Sequence, residues 1–175
     1  MLSRILLASV CVLGLTFFMT SARSADEDTT GFEGKAAPDF SLTTLDGKPV
    51  KLSDMKGKVV VLDFWATWCP PCRKSLPHLQ KVSADKELAD KGLVVWAVNA
   101  REDKEKVQKY LDDNKLTFTV PMDPGKTLTD YKVQGIPTTV IVGRDGNVKN
   151  VFVGFGEGSE KPIDDAITAA IGDKK

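Results

Sequence analysis

The chain has 175 residues, 42% hydrophobic and 27% charged, with Lys plus Arg and Asp plus Glu balanced at 24 each. That balance excludes a strong electrostatic case for binding nucleic acid or an acidic membrane surface, and the length favours one domain. Three cysteines are too few for a disulfide framework, and with His78 as the one histidine a zinc site would lack ligands.

Residues 1–24 read as an export signal. Arg4 supplies a positive start, residues 5–19 form an uncharged run of 15, and Thr20-Ser21-Ala22 or Ala22-Arg23-Ser24 offers small residues for cleavage. The alternative is an uncleaved anchor in the inner membrane, since residues 5–22 give 18 uncharged positions, the short limit for a bilayer span. Cys11 lies within this run and reads as a passenger. Cleavage would leave 151 residues with 22 basic and 24 acidic side chains, a net charge of −2, and two cysteines. The expected location is periplasmic or secreted if the signal is cleaved. In an oxidising compartment, one closely spaced cysteine pair points to catalysis.

Residues 25–34 are short, acidic and polar, and are expected to form a flexible lead-in to a domain over residues 35–175. Residues 40–43 and 50–52 read as short strands joined through an Asp46-Gly47 turn. Residues 59–65 are apolar and β-branched, hence a buried strand, interrupted by the carboxylate of Asp63. Burying that carboxylate unpaired would raise its pKa towards neutrality. An edge position reaching water is the alternative.

The run leads into Trp68-Cys69-Pro70-Pro71-Cys72. A chain leaving a buried strand and entering a helix here puts Cys69 at the helix N-terminus, where free N–H groups and the dipole stabilise a thiolate. Cys72, three residues on, shares its face and can close a disulfide with it. That is the minimum apparatus for thiol–disulfide exchange. A permanent disulfide and half of a zinc site are the bland alternatives. Pro70 and Pro71 fit the first helical turn, where N–H groups are unpaired anyway. Leu76, Leu79 and Val82 form the buried face of the helix, with Pro77 a candidate kink. His78 reads as a surface or packing residue.

Residues 93–98 read as the next parallel strand, with Trp96 in the core. Residues 102–114 then form a helix with Val107, Tyr110 and Leu111 inward and Glu102/Lys106 and Glu105/Lys109 as exposed i,i+4 pairs. Residues 118–120 suggest a short strand and 126–131 a short helix. Residues 138–142 and 148–153 form a hairpin through Asp145-Gly146. A last helix carries Ile163, Ala166, Ile167, Ala170 and Ile171, with Ser159 and Pro162 near its start and Gly172 at its end. Strands alternating with helices, closed by a hairpin and a helix, give a mixed sheet with helices on both faces.

The run from Asp63-Phe64-Trp65-Ala66 through Trp68-Cys69 to Cys72 resembles the thioredoxin-fold oxidoreductases. Ala37-Pro38-Asp39-Phe40-Ser41-Leu42, Leu45-Asp46-Gly47-Lys48 and Leu52-Ser53-Asp54 resemble their TlpA/ResA-like branch, over residues 35–172. The resemblance implies an α/β fold: a thioredoxin-like three-layer α/β/α arrangement with a central mixed sheet. An N-terminal β extension and a central strand–helix insertion between Cys72 and Pro137 complete it. Cys69 is then expected to be the nucleophile, as the more accessible thiol, and Cys72 the resolving cysteine. Asp63 matches the buried aspartate that exchanges a proton with the resolving cysteine. Some relatives carry a glutamate three residues after the second cysteine. Ser75 stands there, which brings proton handling closer to plain thioredoxin.

Gly135-Ile136-Pro137-Thr138-Thr139 resembles the cis-proline loop, where Ile136 would offer its N–H and C=O to an extended substrate beside Cys69. An ordinary trans proline opening a strand is the alternative. Trp68 and Pro70 complete the expected substrate surface, whereas Trp65 is assigned to the core. The implied function is an exported thiol–disulfide oxidoreductase for protein dithiol and disulfide clients, re-reduced by a membrane-borne electron donor. It is expected to act as a monomer, without cofactor, metal or nucleic acid. Two other classes share the fold. The peroxiredoxin signature Pro-x-x-x-Thr-x-x-Cys would need Pro at 62 and Thr at 66, where Leu62 and Ala66 stand. A metallochaperone would space its cysteines by three and add a histidine, and neither feature is present.

Overall fold

The computed structural model describes residues 28–173, so the export-signal reading lies outside the described residues. Among these, strands β1 (Ser41–Thr44), β2 (Pro49–Lys51), β3 (Val59–Trp65), β4 (Leu93–Ala100), β5 (Pro121–Asp123), β6 (Thr138–Val142) and β7 (Val148–Val153) form one mixed sheet. Their order is β2-β1-β5-β4-β3-β6-β7. The helices are α1 (Pro70–Ala84), α2 (Lys86–Asp90), α3 (Lys104–Asn114), α4 (Lys126–Asp130) and α5 (Glu160–Gly172). None is long and apolar enough to cross a membrane.

β3 and β6 are buried along their whole length, which explains why both read as continuous apolar runs without alternation. β3 pairs parallel with β4 and antiparallel with β6, placing Asp63 opposite Ala97 and Thr139. Successive side chains of β3 point to opposite faces. Val59, Val61 and Trp65 pack with Leu76, Leu79, Val107, Ile163 and Ile167 from α1, α3 and α5. Val60, Leu62 and Phe64 pack with Phe40, Trp96, Tyr131 and Val148 on the other side. That second face is closed by short elements: α4, a 3-10 turn at Leu52–Met55 and the N-terminal segment. The β1–β2 hairpin supplies the N-terminal extension, and β4, α3, β5 and α4 fill the stretch between Cys72 and Pro137.

Two expectations are corrected, and one helix has no counterpart in the sequence reading. The lead-in is docked from residue 28 onwards. Asp28 caps a 3-10 turn at Thr29–Phe32, the Phe32 ring lies 6.0 Å from that of Tyr131, and Glu33 bridges to Val148. One aromatic and an available strand edge suffice, though the segment's composition is polar. Residues 118–120 make only a single bridge, Thr119 to Trp96, and the strand lies at 121–123, where β4 and β1 supply partners. α2 went unread because it has no buried residue to leave an apolar period; Asp85 starts it, accepting the Leu88 N–H at 3.1 Å.

Candidate active site

β3 ends at Trp65, whose indole N–H donates to the Ala97 carbonyl at 3.1 Å, so this tryptophan is core, as expected. The turn that follows delivers Cys69 to the N-cap of α1 with extended backbone. Pro70 and Pro71 occupy the first two helical positions, so the first turn's remaining N–H near the sulfur is that of Cys72, which donates to Cys69 Sγ at 3.2 Å. Cys69 and Cys72 are joined as a disulfide, their Cα atoms 5.3 Å apart. Cys72 is wholly buried, and Ser75 behind it donates its hydroxyl to the Cys72 carbonyl at 2.9 Å.

Two features position the turn itself. The Glu102 carboxylate accepts the Thr67 N–H and the Thr67 hydroxyl, each at 2.6 Å. From the other side, Arg73 Nε donates to the Thr67 carbonyl at 2.8 Å, its guanidinium over the Tyr110 ring. Glu102 also accepts from Asn99 at 3.0 Å and pairs with Lys106 at 2.6 Å. Burial pushes the Glu102 carboxyl up, but the bonds from Lys106, Thr67 and Asn99 outweigh it and hold the group below its ordinary range. The expected exposed pair Glu102/Lys106 is therefore half wrong: α3 begins at Lys104, and the Glu102 side chain is 3% exposed. Asp103, at the N-cap position, was the signal that Glu102 precedes the helix.

Opposite the cysteines, the Ile136–Pro137 peptide bond is cis, and Cys69 Sγ lies 3.5 Å from the Ile136 carbonyl oxygen. An open groove of about 840 Å³ runs past this point, with Trp68, Cys69, Pro70 and Ile136 in its wall. Cys69 reaches the groove and Cys72 does not. Trp68 is 60% exposed, unlike Trp65 and Trp96. Pro137 is buried behind Ile136.

Asp63 does not reach water. It is buried in mid-sheet, and alternation along β3 puts it on the α1 side, between Val61 and Trp65. Thr139 Oγ1 donates to its Oδ1 at 2.7 Å, and Oδ2 has no hydrogen-bond partner among the described residues. Burial pushes the carboxyl up to about 7, with the Thr139 bond pulling the other way. His78, away from this cluster, is a packing residue: Nε2 lies 3.2 Å from Asp164 Oδ1, with the ring beside Phe155.

A wholly buried thiol behind one that is 2% exposed but lines the groove, with an acid of near-neutral pKa on the same sheet face, suits interconversion of a dithiol and a disulfide. That is the chemistry of a thiol–disulfide oxidoreductase on a thioredoxin-like fold. The chain belongs to the Redoxin family, whose model matches residues 32–167. It is 45% identical over 125 residues to the thioredoxin-like protein YneN of Bacillus subtilis, covering 70% of this chain and 72% of that protein. With the thiol–disulfide oxidoreductase ResA of the same organism it shares 36% identity over 151 residues, 86% of this chain and 82% of ResA. Among solved structures, a Chlorobium tepidum protein named as the thiol:disulfide interchange protein DsbE superposes with a TM-score of 0.72 at 41% identity. That match covers 78% of this chain and 96% of the other. The chain is thus a TlpA/ResA-like thioredoxin-fold oxidoreductase.

Proposed function

We propose that this oxidoreductase works outside the cytoplasm as a monomer, reducing disulfides in protein clients and receiving electrons from a membrane-borne donor. Residues 1–24 support export, by cleavage or as an anchor. In the dithiol form, the Cys69 thiolate attacks one sulfur of a client disulfide. A mixed disulfide forms and one client thiolate leaves. The Cys72 thiolate then attacks Cys69 Sγ, the internal disulfide closes, and the second client thiolate leaves. Two electrons pass to the client. Asp63 takes the Cys72 proton as that second attack begins.

Clients are held in extended form along the groove, against Trp68 and Pro70 and beside the backbone of Ile136, with Pro137 shaping the loop. The observation that carries the division of roles is the position of the two sulfurs. Cys69 lies in the groove wall, 3.5 Å from the Ile136 carbonyl, while Cys72 is sealed beneath it.

The direct test is Cys72→Ser expressed with its export signal. Mixed disulfides between Cys69 and extracytoplasmic proteins should accumulate and disappear under dithiothreitol. Cys69→Ser should yield none and show no turnover. Equal trapping by both variants would overturn the division of roles.

A further inference from the structure

We propose that Arg101 makes the groove selective for client disulfides flanked by a carboxylate side chain. The inference rests on the reading of the groove as the client site. Its wall is largely apolar, with Trp68, Leu128, Val133 and Ile136. Among the described residues, the charged side chains that line it are Arg101 and Lys132, and no aspartate or glutamate does. This cationic stretch belongs to a chain whose portion after residue 24 carries an acidic excess.

Arg101 is held at the groove by strained backbone. Its φ is +57°, in the left-handed region that disfavours side chains, and its N–H donates to the Asp123 carbonyl at 3.0 Å. Its guanidinium lies across Gly125, where an added Cβ would stand 2.2 Å from Arg101 Nε. Gly125 thus leaves the room in which the side chain lies. Two acids close to it in the described residues, Glu102 and Asp123, are committed elsewhere. Glu102 is turned inward onto Thr67, Asn99 and Lys106, and the Asp123 carboxylate accepts the N–H groups of Gly125, Thr127 and Leu128. Lys132, also in left-handed backbone at φ +51°, lines the same groove with its ammonium over the Phe32 ring, 5.7 Å from its centre, so Arg101 is the cation on which the proposal rests.

A guanidinium presents paired N–H donors that match a carboxylate, and apolar walls strengthen that match by excluding water. A client segment would pair its acid with Arg101 while its cysteine faces Cys69 and its apolar neighbours meet Trp68. A protein side chain and a small thiol such as glutathione both carry carboxylates; the apolar wall of Leu128, Val133 and Ile136 beside Cys69 suits the side chain of a protein client.

The test compares two peptide disulfides, identical except for Glu or Gln beside the cysteines, with neutral 2-hydroxyethyl disulfide and glutathione disulfide alongside. Wild-type protein should favour the Glu peptide by about fivefold in kcat/KM at low salt, near the upper end for an exposed ion pair. The ratio should fall towards unity as salt is raised. Arg101→Gln should bring it near unity and Arg101→Glu should invert it. A wild-type ratio of one, or a preference indifferent to salt, would overturn the proposal without needing any variant to fold. A preference for glutathione disulfide without one between the peptides would overturn the assignment to protein side chains. Absence of turnover with the neutral disulfide would instead strike the oxidoreductase reading beneath it.

Discussion

Glu102 holds Thr67, 35 residues away in sequence and two before Cys69, accepting its backbone N–H on one carboxylate oxygen and its hydroxyl on the other. With Arg73 on the Thr67 carbonyl, the turn that presents Cys69, the proposed nucleophile, is fixed from two sides. Neither contact touches the sulfur. Their effect on chemistry is through position, since small displacements of a reacting atom are costly in rate.

Glu102→Ala is therefore expected to lower stability by about 2 kcal/mol, because the Thr67 N–H loses its partner in a partly buried site. The Glu102 carboxyl is held below its ordinary 4.5. A depressed folded-state pKa gives stability that is present above the unfolded value and lost as pH falls through the folded one. The deficit of the variant in urea unfolding should thus be full at pH 7 and shrink below about 4. A deficit independent of pH would argue for lost packing instead. Client reduction should slow with KM little changed.

Asp63 makes the opposite prediction. Its carboxyl moves from 3.8 to about 7 through burial. An acid raised on folding destabilises the folded state once the unfolded form ionises, and fully above pH 7. The size is about 4 kcal/mol. Asp63→Asn should therefore be more stable than the parent at pH 8 by a few kcal/mol, with the gain vanishing near pH 4. The same ionisation should govern resolution of the mixed disulfide. In the parent that rate should rise with an apparent pKa near 7, and in Asp63→Asn the inflection should be gone. The gap should close above pH 9, where an ordinary thiol of pKa about 8.5 ionises unaided. An inflection that survives the substitution would remove Asp63 from proton transfer.

Much of this was legible beforehand, and the rest was hidden for identifiable reasons. Asp63 stood out because one carboxylate broke an apolar strand, whereas its partner Thr139 lies 76 residues on and is set by the register of β3 on β6. Cys69, Cys72 and Pro137 were carried by motif. β5 was misplaced because Phe118 and Val120 are buried without being strand, while Pro121-Met122-Asp123 has no pattern of its own. The i,i+4 spacing of Glu102 finds its Lys106 partner, but its bonds to Thr67, 35 residues earlier in the turn before Cys69, leave no trace in sequence. Arg101 gave no signal, since a left-handed φ and a glycine neighbour across a loop are properties of the folded chain.

Trp68 should separate binding from stability. An indole this exposed contributes little to the fold, so Trp68→Ala is expected to change unfolding free energy by less than about 0.5 kcal/mol. A groove contact of this size should nonetheless raise KM for a folded protein client severalfold while leaving kcat nearly unchanged. Steady-state kinetics on one protein client and one small disulfide would check it. The small disulfide, too short to reach the indole face, should show little change. An equal loss with both would mean that Trp68 acts on the reacting sulfur.

The direction of electron flow can be argued from the first turn of α1. A thiolate at a helix start is stabilised by the N–H groups that face it, and prolines at 70 and 71 contribute none. The Cys72 N–H is the donor observed on Cys69 Sγ. The helix dipole and this one N–H support its thiolate, but the prolines withhold further donors. The reduced form is therefore not strongly favoured, and the pair should give electrons away readily. Equilibration with dithiothreitol is expected to place the reduction potential near about −270 mV, in the range of a reductase that must be recharged. Replacing Pro71 by a residue with an N–H should shift it to less negative values and lower the Cys69 pKa together. A parent value near about −120 mV would mark an oxidant and reverse the proposed direction.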